Sequence, residues 1–290
     1  MRIAVVGARG QLGAAVVHEC SASHAVTALA HADLDVTDEA AVGAAMDRVR
    51  PDAIVNCAAY NDVDGAEDHP IQALTLNAFA VRALARAAEV HGAALVHYGS
   101  DFVFDGTATV PYTEEDRPNP RSVYAASKLL GEWFAADAPR AYVLRVESLF
   151  GAAPGGPPPK GSVATIVNAL RTGGEARVFE DRTVSPTYVA DAARATRALL
   201  EKEKDKGAPA GVYHCVNSGH CTWLELAREL ARQLGVDPEA RIVPVKLADV
   251  KLRVRRPQFC ALSNAKLASV GVTMPTWRDA LERYVSSLGL

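Results

Sequence analysis

No apolar run in the chain approaches the roughly 20 residues that cross a bilayer, which excludes a membrane-spanning role. Cys-x-x-Cys pairs are missing too. The five cysteines (Cys20, Cys57, Cys215, Cys221, Cys260) are odd in number and scattered, which argues against a disulfide framework and for reduced thiols in a cytoplasmic protein. Charge of one sign is scarce. A formal charge of -3 with 22% charged residues offers no basic surface for nucleic acid and no disordered tract. The apolar start is broken by Arg9 before it reaches the length of a signal h-region. Hydrophobic residues are plentiful, at 49% of 290, enough to bury the core of one large α/β domain with a smaller lobe.

The stretch the chain is organised around is Tyr124-Ala125-Ala126-Ser127-Lys128, inside a helical run over residues 122–135. Four residues apart, the phenol and the ammonium share one helix face. A nearby cation favours the phenolate and makes the tyrosine a usable proton donor at neutral pH. Such a donor on a carbonyl oxygen is what hydride delivery to the carbon requires. By itself the pair also occurs by chance in helices. The beginning of the chain supplies context: an apolar run over residues 2–6, then Gly7-Ala8-Arg9-Gly10-Gln11-Leu12-Gly13, then a helical pattern. Gly7 suits the tight turn, Gly10 the approach of backbone amides to a pyrophosphate, and Gly13 close packing of helix on strand. The anion would sit at the helix N-terminus.

A second strand, residues 25–29, ends at Ala30-His31. NAD enzymes usually carry an acid at this tip; with none there, and with His31 and Arg9 available to a 2′-phosphate, the sequence leans towards NADPH over NADH. Asp35 and Val36 would lie beside the adenine. A third strand, 52–57, ends in Asn56-Cys57-Ala58-Ala59-Tyr60, where small residues let backbone approach a cofactor. One helix over 71–90, stopped by Gly92, carries Asn77 as either a polar link to the site or a surface residue. The fourth strand, 94–98, delivers Ser100-Asp101-Phe102-Val103 at its carboxyl end, where parallel sheets bind ligands. Ser100 there either orients a substrate carbonyl or satisfies local backbone. With a fifth strand at 141–146, the alternation predicts a Rossmann-type, doubly wound parallel α/β sheet.

Residues 152–161, rich in proline and glycine, read as a mobile loop flanking the substrate. Helices are expected over 162–171 and 189–202, with the charged run 201–206 as a solvated helix end. His214 and Cys215 fall on a strand over 211–216 whose alternation points them apart, which sets aside a metal site. Thr222 and Glu225 form a capping box for a helix reaching Leu234. Arg253, Arg255 and Arg256 suit either a diphosphate or a solvated surface. Residues 1–150 with 187–217 would form the dinucleotide-binding domain, and 151–186 with 218–290 a smaller C-terminal substrate-binding lobe.

Gly-Ala-Arg-Gly-Gln-Leu-Gly at 7–13, Asn-Cys-Ala-Ala-Tyr at 56–60, Val63-Asp64 with Ala66-Glu67, Ser-Asp-Phe-Val-Phe-Asp-Gly at 100–106, Tyr124 with Lys128, Ser185-Pro186-Thr187-Tyr188-Val189-Ala190-Asp191 and Arg256-Pro257 together resemble the dTDP-4-dehydrorhamnose reductases. These extended short-chain dehydrogenase/reductases use a nicotinamide cofactor to reduce the 4-keto group of a nucleotide-linked deoxysugar, and the resemblance covers nearly the whole chain. It implies Tyr124 as proton donor, Lys128 as the residue that lowers its pKa and holds the nicotinamide ribose, and Ser100, where the family usually has Thr, as the hydroxyl orienting the carbonyl. Cofactor contacts are expected from Gly7, Arg9, Gly10, Gln11, Leu12, Gly13, His31, Asp35, Val36, Cys57, Ala58, Ala59, Tyr60, Asn77, Tyr124 and Lys128. Substrate contacts are expected from Asp101, Phe102, Val103 and Arg256.

The expected partner is a nucleotide-sugar substrate, with neither nucleic acid nor membrane. A homodimer is left open, because metal-linked dimers occur in parts of the family; no metal ligands are identified here. Related dehydratases carry an acidic pair directly after the strand-end hydroxyl, whereas Asp101 is followed by Phe102, which argues against dehydration. Three departures fall in the expected sugar or nucleotide pocket: Glu147-Ser148-Leu149-Phe150 where the family usually has a Trp, the proline loop in place of a Gly-rich segment ending in Asn-Phe, and Cys260 in place of Ser. Two further readings compete. One is an NADP-binding regulatory subunit resembling the β subunit of methionine adenosyltransferase; the other is an epimerase or another sugar-nucleotide reductase of the same superfamily.

Overall fold

Six short runs of aliphatic and β-branched residues become the parallel strands of one sheet in the computed structural model, which describes residues 1–204 and 207–289. They are β1 (Arg2–Val6), β2 (Ala25–Leu29), β3 (Ala53–Asn56), β4 (Ala94–Ser100), β5 (Ala141–Val146) and β6 (Gly211–His214), in the order β6-β5-β4-β3-β1-β2. β3, β4 and β5 are buried along their whole length. Covered on both faces, they read as continuous apolar runs rather than alternating ones.

The period of two in each strand divides the core. Ile3, Val5, Val55 and Val96 pack with Val16 of helix α1 (Gln11–Ser21) on one face, while Ala4, Val6, Ile54 and Leu95 pack with Met46 of helix α2 (Glu39–Val49) and Leu84 of helix α3 (Ala80–His91) on the other. Helix α4 (Val123–Ala135) follows β4 in the chain, α5 (Ser162–Arg171) follows β5, and α6 (Val189–Lys204) packs its Leu199 and Leu200 into the first cluster. That cluster extends without a break into helices α7 (Trp223–Gln233) and α8 (Trp277–Ser287) through Leu226, Leu230, Trp277 and Leu281. Strand order reverses between β1 and β3. In an open parallel sheet the crevice outside the carboxyl ends at that reversal is where ligands bind.

The single helix expected over 71–90 is instead three pieces: Pro70–Leu74, a π-helical turn Thr75–Phe79, and α3. The wide turn has an identifiable use. It carries Asn77 into the interior, where the side-chain oxygen accepts from Tyr60 N (2.8 Å) and the amide donates to Tyr60 O (3.1 Å) and Ser127 Oγ (2.9 Å). Periodicity could not reveal this, because alanines keep the apolar rhythm through the break. β4 runs on to Ser100, two residues past its expected end, and β6 stops at His214. The capping box of Thr222 and Glu225 is present. The charged run 201–206 ends outside the described residues. No helix among the described residues is long and apolar enough to cross a membrane.

Candidate active site

A cleft of about 700 Å³ opens at the carboxyl ends of β1, β3, β4 and β5. Its first wall is the glycine loop. Gly7 has φ +74, and a Cβ there would stand 2.7 Å from Ala58 N; one on Gly13 would stand 2.2 Å from the Gly7 carbonyl oxygen. Only glycine permits both approaches. Helix α1 starts at Gly10 with no side-chain cap, so its first-turn amides face the cleft as an anion site. Gly10, Gln11 and Leu12 line the cleft, as do Cys57, Ala58 and Ala59. Gln11 also reaches the proline loop, donating to Gly151 O (2.7 Å) and accepting from Lys160 N (3.4 Å). Tyr60 does not line the cleft; its backbone is what Asn77 holds, so Asn77 ties the β3 loop to α4 rather than facing the cleft.

The second wall is α4, where Tyr124, Lys128 and Glu132, at a spacing of four, share one inward face. All three are buried. Lys128 Nζ donates to the Tyr98 carbonyl (2.6 Å), and Glu132 clasps Arg145 through contacts of 2.8 and 3.1 Å. Burial lowers Lys128 to about 8 against the opposing charge of Glu132. The phenol departs from expectation. Burial and then the nearby Asp101 carboxylate push Tyr124 up to about 12, with a hydrogen bond from Ser100 pulling it back. Lys128 does not lower it here, because the ammonium is committed to Tyr98 O rather than to the phenol.

Ser100 closes β4 and caps the turn that follows: its Oγ accepts from Phe102 N (3.2 Å) and donates to Asp101 Oδ1 (3.0 Å). Asp101 and Phe102 line the cleft, with Phe102 meeting Tyr124 edge-on at 5.6 Å. Val103 does not. The tight turn points it away from the cleft into a core with Phe104, Tyr112 and Leu262, which removes it from the substrate contacts expected. Behind Asp101 stand two buried groups, Glu147 and Cys260; ligand atoms of the three lie within 4.8 Å of one another. The Arg182 guanidinium already supplies the cation of this cluster, donating to Cys260 Sγ (3.7 Å) and Pro257 O (2.9 Å). Burial raises Asp101 to about 6 and pushes Glu147, facing Asp101, well above the carboxylate range.

Arg256 also lines the cleft, its guanidinium held by Asp64 (2.8 and 3.1 Å), while Arg253 pairs with Asp68. His214 is a bracket, not a ligand: its Nδ1 meets Tyr112 O (3.1 Å), and burial lowers it to about 3.

A shallower cleft continues on the far side of the glycine loop, lined by Ala8, Arg9, Ala30, Asp33 and the proline loop at 154–157. Arg9 is there as expected, but His31, Asp35 and Val36 are in neither cleft. Asp35 turns back to Thr37 (2.7 Å), and Val36 packs in the core under α2. An acid does stand at the tip of β2. Asp33 Oδ2 accepts from Ala30 N (2.9 Å), which the sequence hid by placing it four residues past the strand.

Sequence reading also missed Arg182 and Trp223, both in the main cleft. Neither belongs to a motif, and each arrives from a segment distant in the chain.

The profile of the family described as RmlD substrate binding domain matches residues 1–289. The chain is 36% identical over 288 residues to a dTDP-4-dehydrorhamnose reductase of Streptomyces griseus, covering 98% of this chain and 93% of that one. It is also 36% identical over 285 residues, 97% and 93% of the two chains, to a Streptomyces antibioticus protein described as a probable dTDP-4,6-dihydroxy-2-methyloxan-3-one 4-ketoreductase. Among solved structures, the dTDP-4-dehydrorhamnose reductase of Bacillus anthracis in complex with NADP shares the fold at a TM-score of 0.90 and 29% identity, over 99% of both chains. By sequence along its whole length and by fold, the chain belongs to the dTDP-4-dehydrorhamnose reductase family.

Proposed function

We propose that the protein reduces the 4-keto group of a dTDP-linked 6-deoxysugar with NADPH. The observation that carries this reading is the buried Tyr124 phenol, lining the cleft with Lys128 one turn along the same helix and the glycine loop on the other wall. The close approaches at Gly7 and Gly13 and the uncapped start of α1 fit a dinucleotide. Gly10, Gln11 and Leu12 would hold its pyrophosphate and Cys57, Ala58 and Ala59 its nicotinamide half, while at the adenosine end Arg9 would meet a 2′-phosphate with the Asp33 carboxylate, capped on Ala30 N, beside it. Bound there, the cofactor supplies the hydride.

The remaining chemistry is a proton. A phenol raised to about 12 stays protonated throughout the neutral range, so Tyr124 is stored as the acid that reduction consumes. It donates to the carbonyl oxygen as negative charge gathers there. Ser100, fixed by Asp101 and the Phe102 amide, places its hydroxyl near the phenol to orient the carbonyl. Lys128, an ammonium below pH 8 and anchored on the Tyr98 carbonyl, offers a donor to the nicotinamide ribose. Arg256 is the cation for the substrate diphosphate, sharing its fork with Asp64. The free thiols Cys20, Cys57, Cys215, Cys221 and Cys260 support a cytoplasmic setting.

The test is NADPH oxidation, followed by absorbance, with dTDP-4-keto-6-deoxy sugars. Tyr124→Phe keeps the edge-on contact to Phe102 and should retain cofactor binding while losing about 10²- to 10⁴-fold in kcat. A wild type that binds NADPH yet reduces no keto sugar overturns the proposal and favours a regulatory subunit, which a partner co-purifying with the chain would reveal.

A further inference from the structure

Glu147 is 2% exposed and lines the cleft, and its two oxygens are treated differently. Oε2 accepts from Ser185 N at 2.6 Å, while Oε1 is buried and has no hydrogen-bond partner. A buried carboxyl oxygen without a hydrogen-bond partner is unfavourable, so a group at this place needs a reason. The oxygen of Asp101 lies within 4.8 Å of that carboxyl, and the Asp101 carboxyl in turn faces the Tyr124 phenol. The unpaired oxygen therefore belongs to the same cleft lining as the proton donor.

We propose that Glu147 and Asp101 form a subsite that hydrogen-bonds the sugar hydroxyl adjacent to the reacting carbonyl, so that Glu147 selects among keto sugars. The inference rests on the reductase reading, since in a 4-keto-6-deoxysugar the carbonyl is flanked by C3, which bears a hydroxyl, and C5, which bears only a methyl. Two buried carboxyls this close cannot both ionise cheaply, so one of them keeps its proton. Such a pair can both accept from and donate to one hydroxyl, which a single carboxylate cannot do. A metal ion is disfavoured at the same place, because Arg182 already brings a positive charge to the cluster.

The experiment compares a dTDP-4-keto-6-deoxyhexose with its 3-deoxy counterpart. Wild type should favour the hydroxylated substrate by on the order of 10- to 100-fold in kcat/KM. In Glu147→Ala the preference should shrink to within about threefold, by loss on the hydroxylated substrate alone. Equal loss on both substrates would reduce Glu147 to a prop for the Ser185 amide and overturn the proposal. So would a wild type indifferent to the hydroxyl, a result that needs no variant to fold. Calorimetric affinities for the two corresponding reduced dTDP sugars read the subsite without turnover. A hydroxyl preference there that Glu147→Ala abolishes upholds it even if no keto sugar is reduced, and an equal affinity overturns it.

Discussion

Replacing Gly131 by alanine should destabilise the protein, although helix propensity alone favours the opposite. Gly131 lies inside α4, where glycine costs about 1 kcal/mol relative to alanine. A Cβ at this position would stand 2.1 Å from the Asn77 carbonyl oxygen and 3.3 Å from His97 Nε2. The carbonyl belongs to the π-helical turn, whose position is fixed by three hydrogen bonds of the Asn77 side chain. Relief therefore requires α4 to move away by more than about 1 Å, since ordinary contacts begin near ~3.5 Å. Overpacking of this kind costs about 1–3 kcal/mol, occasionally more, and outweighs the propensity gain. With the contact as close as 2.1 Å the cost falls at the upper end of that range, and a net loss of up to about 2 kcal/mol lowers Tm by up to about 4–8 °C. Because α4 carries both Tyr124 and Lys128, kcat should fall by about 10²-fold as well. Gly43→Ala is the control: it sits inside α2 with nothing within 4 Å of its would-be Cβ, and it should gain about 1 kcal/mol with activity unchanged. Thermal melts of the two variants decide the matter. A Gly131→Ala protein as stable as Gly43→Ala would refute the close approach.

Lys128 predicts a basic limb. Burial lowers its pKa to about 8, so kcat/KM should decline as pH rises through 8 and the ammonium is lost; a profile flat to pH 10 would contradict it. The same shift sets a sign on stability. Unfolded lysine keeps its proton to about 10.4, so between pH 8 and that value the unfolded chain binds more protons and the contribution of Lys128 to stability rises with pH. Denaturant midpoints across that window, against a Lys128→Met variant, measure it. A third prediction concerns Arg50, which ends α2 at φ 47 and ψ 59. Arg50→Gly should remove left-handed strain of about 1 kcal/mol and raise Tm by about 2–4 °C, with kcat unchanged.

What was legible in the sequence was whatever depends on neighbours in the chain. The strand, glycine loop and helix at the start, the four-residue spacing of Tyr124 and Lys128, and the capping box at Thr222 are local patterns, and each appears in the structure. The π-helical turn was hidden because its cause is not local: Asn77 is drawn inward by Tyr60 and Ser127, 17 and 50 residues away. Val103 was misplaced for a related reason. A stretch of four residues after a strand end reads as one recognition segment, yet the tight turn capped by Ser100 sends Asp101 to the cleft and Val103 to the core. Arg182, brought to Cys260 across 78 residues, leaves no pattern to find. The pKa of Tyr124 failed in a more instructive way, since spacing shows that two side chains can share a face but not which partner each one takes.

That failure bears on the direction of the chemistry. With Lys128 donating to Tyr98 and Asp101 facing the phenol, burial and charge hold Tyr124 at about 12, Lys128 at about 8 and Asp101 at about 6, with Glu147 raised beside it. Near pH 7 the floor of the cleft is therefore rich in protons, with phenol and ammonium both charged with their acidic hydrogen and the carboxyl pair retaining at least one. Reduction of a carbonyl consumes a proton at its oxygen, and the resting enzyme already holds it. Oxidation of the alcohol needs a base in the same position, which this floor supplies only after Tyr124 is deprotonated. A catalyst cannot move the equilibrium, but the protonation state in which it rests sets which direction finds most of the enzyme competent. The pH profiles of the two directions should accordingly diverge: kcat/KM for reduction level below pH 8, and for oxidation rising with pH in the same range.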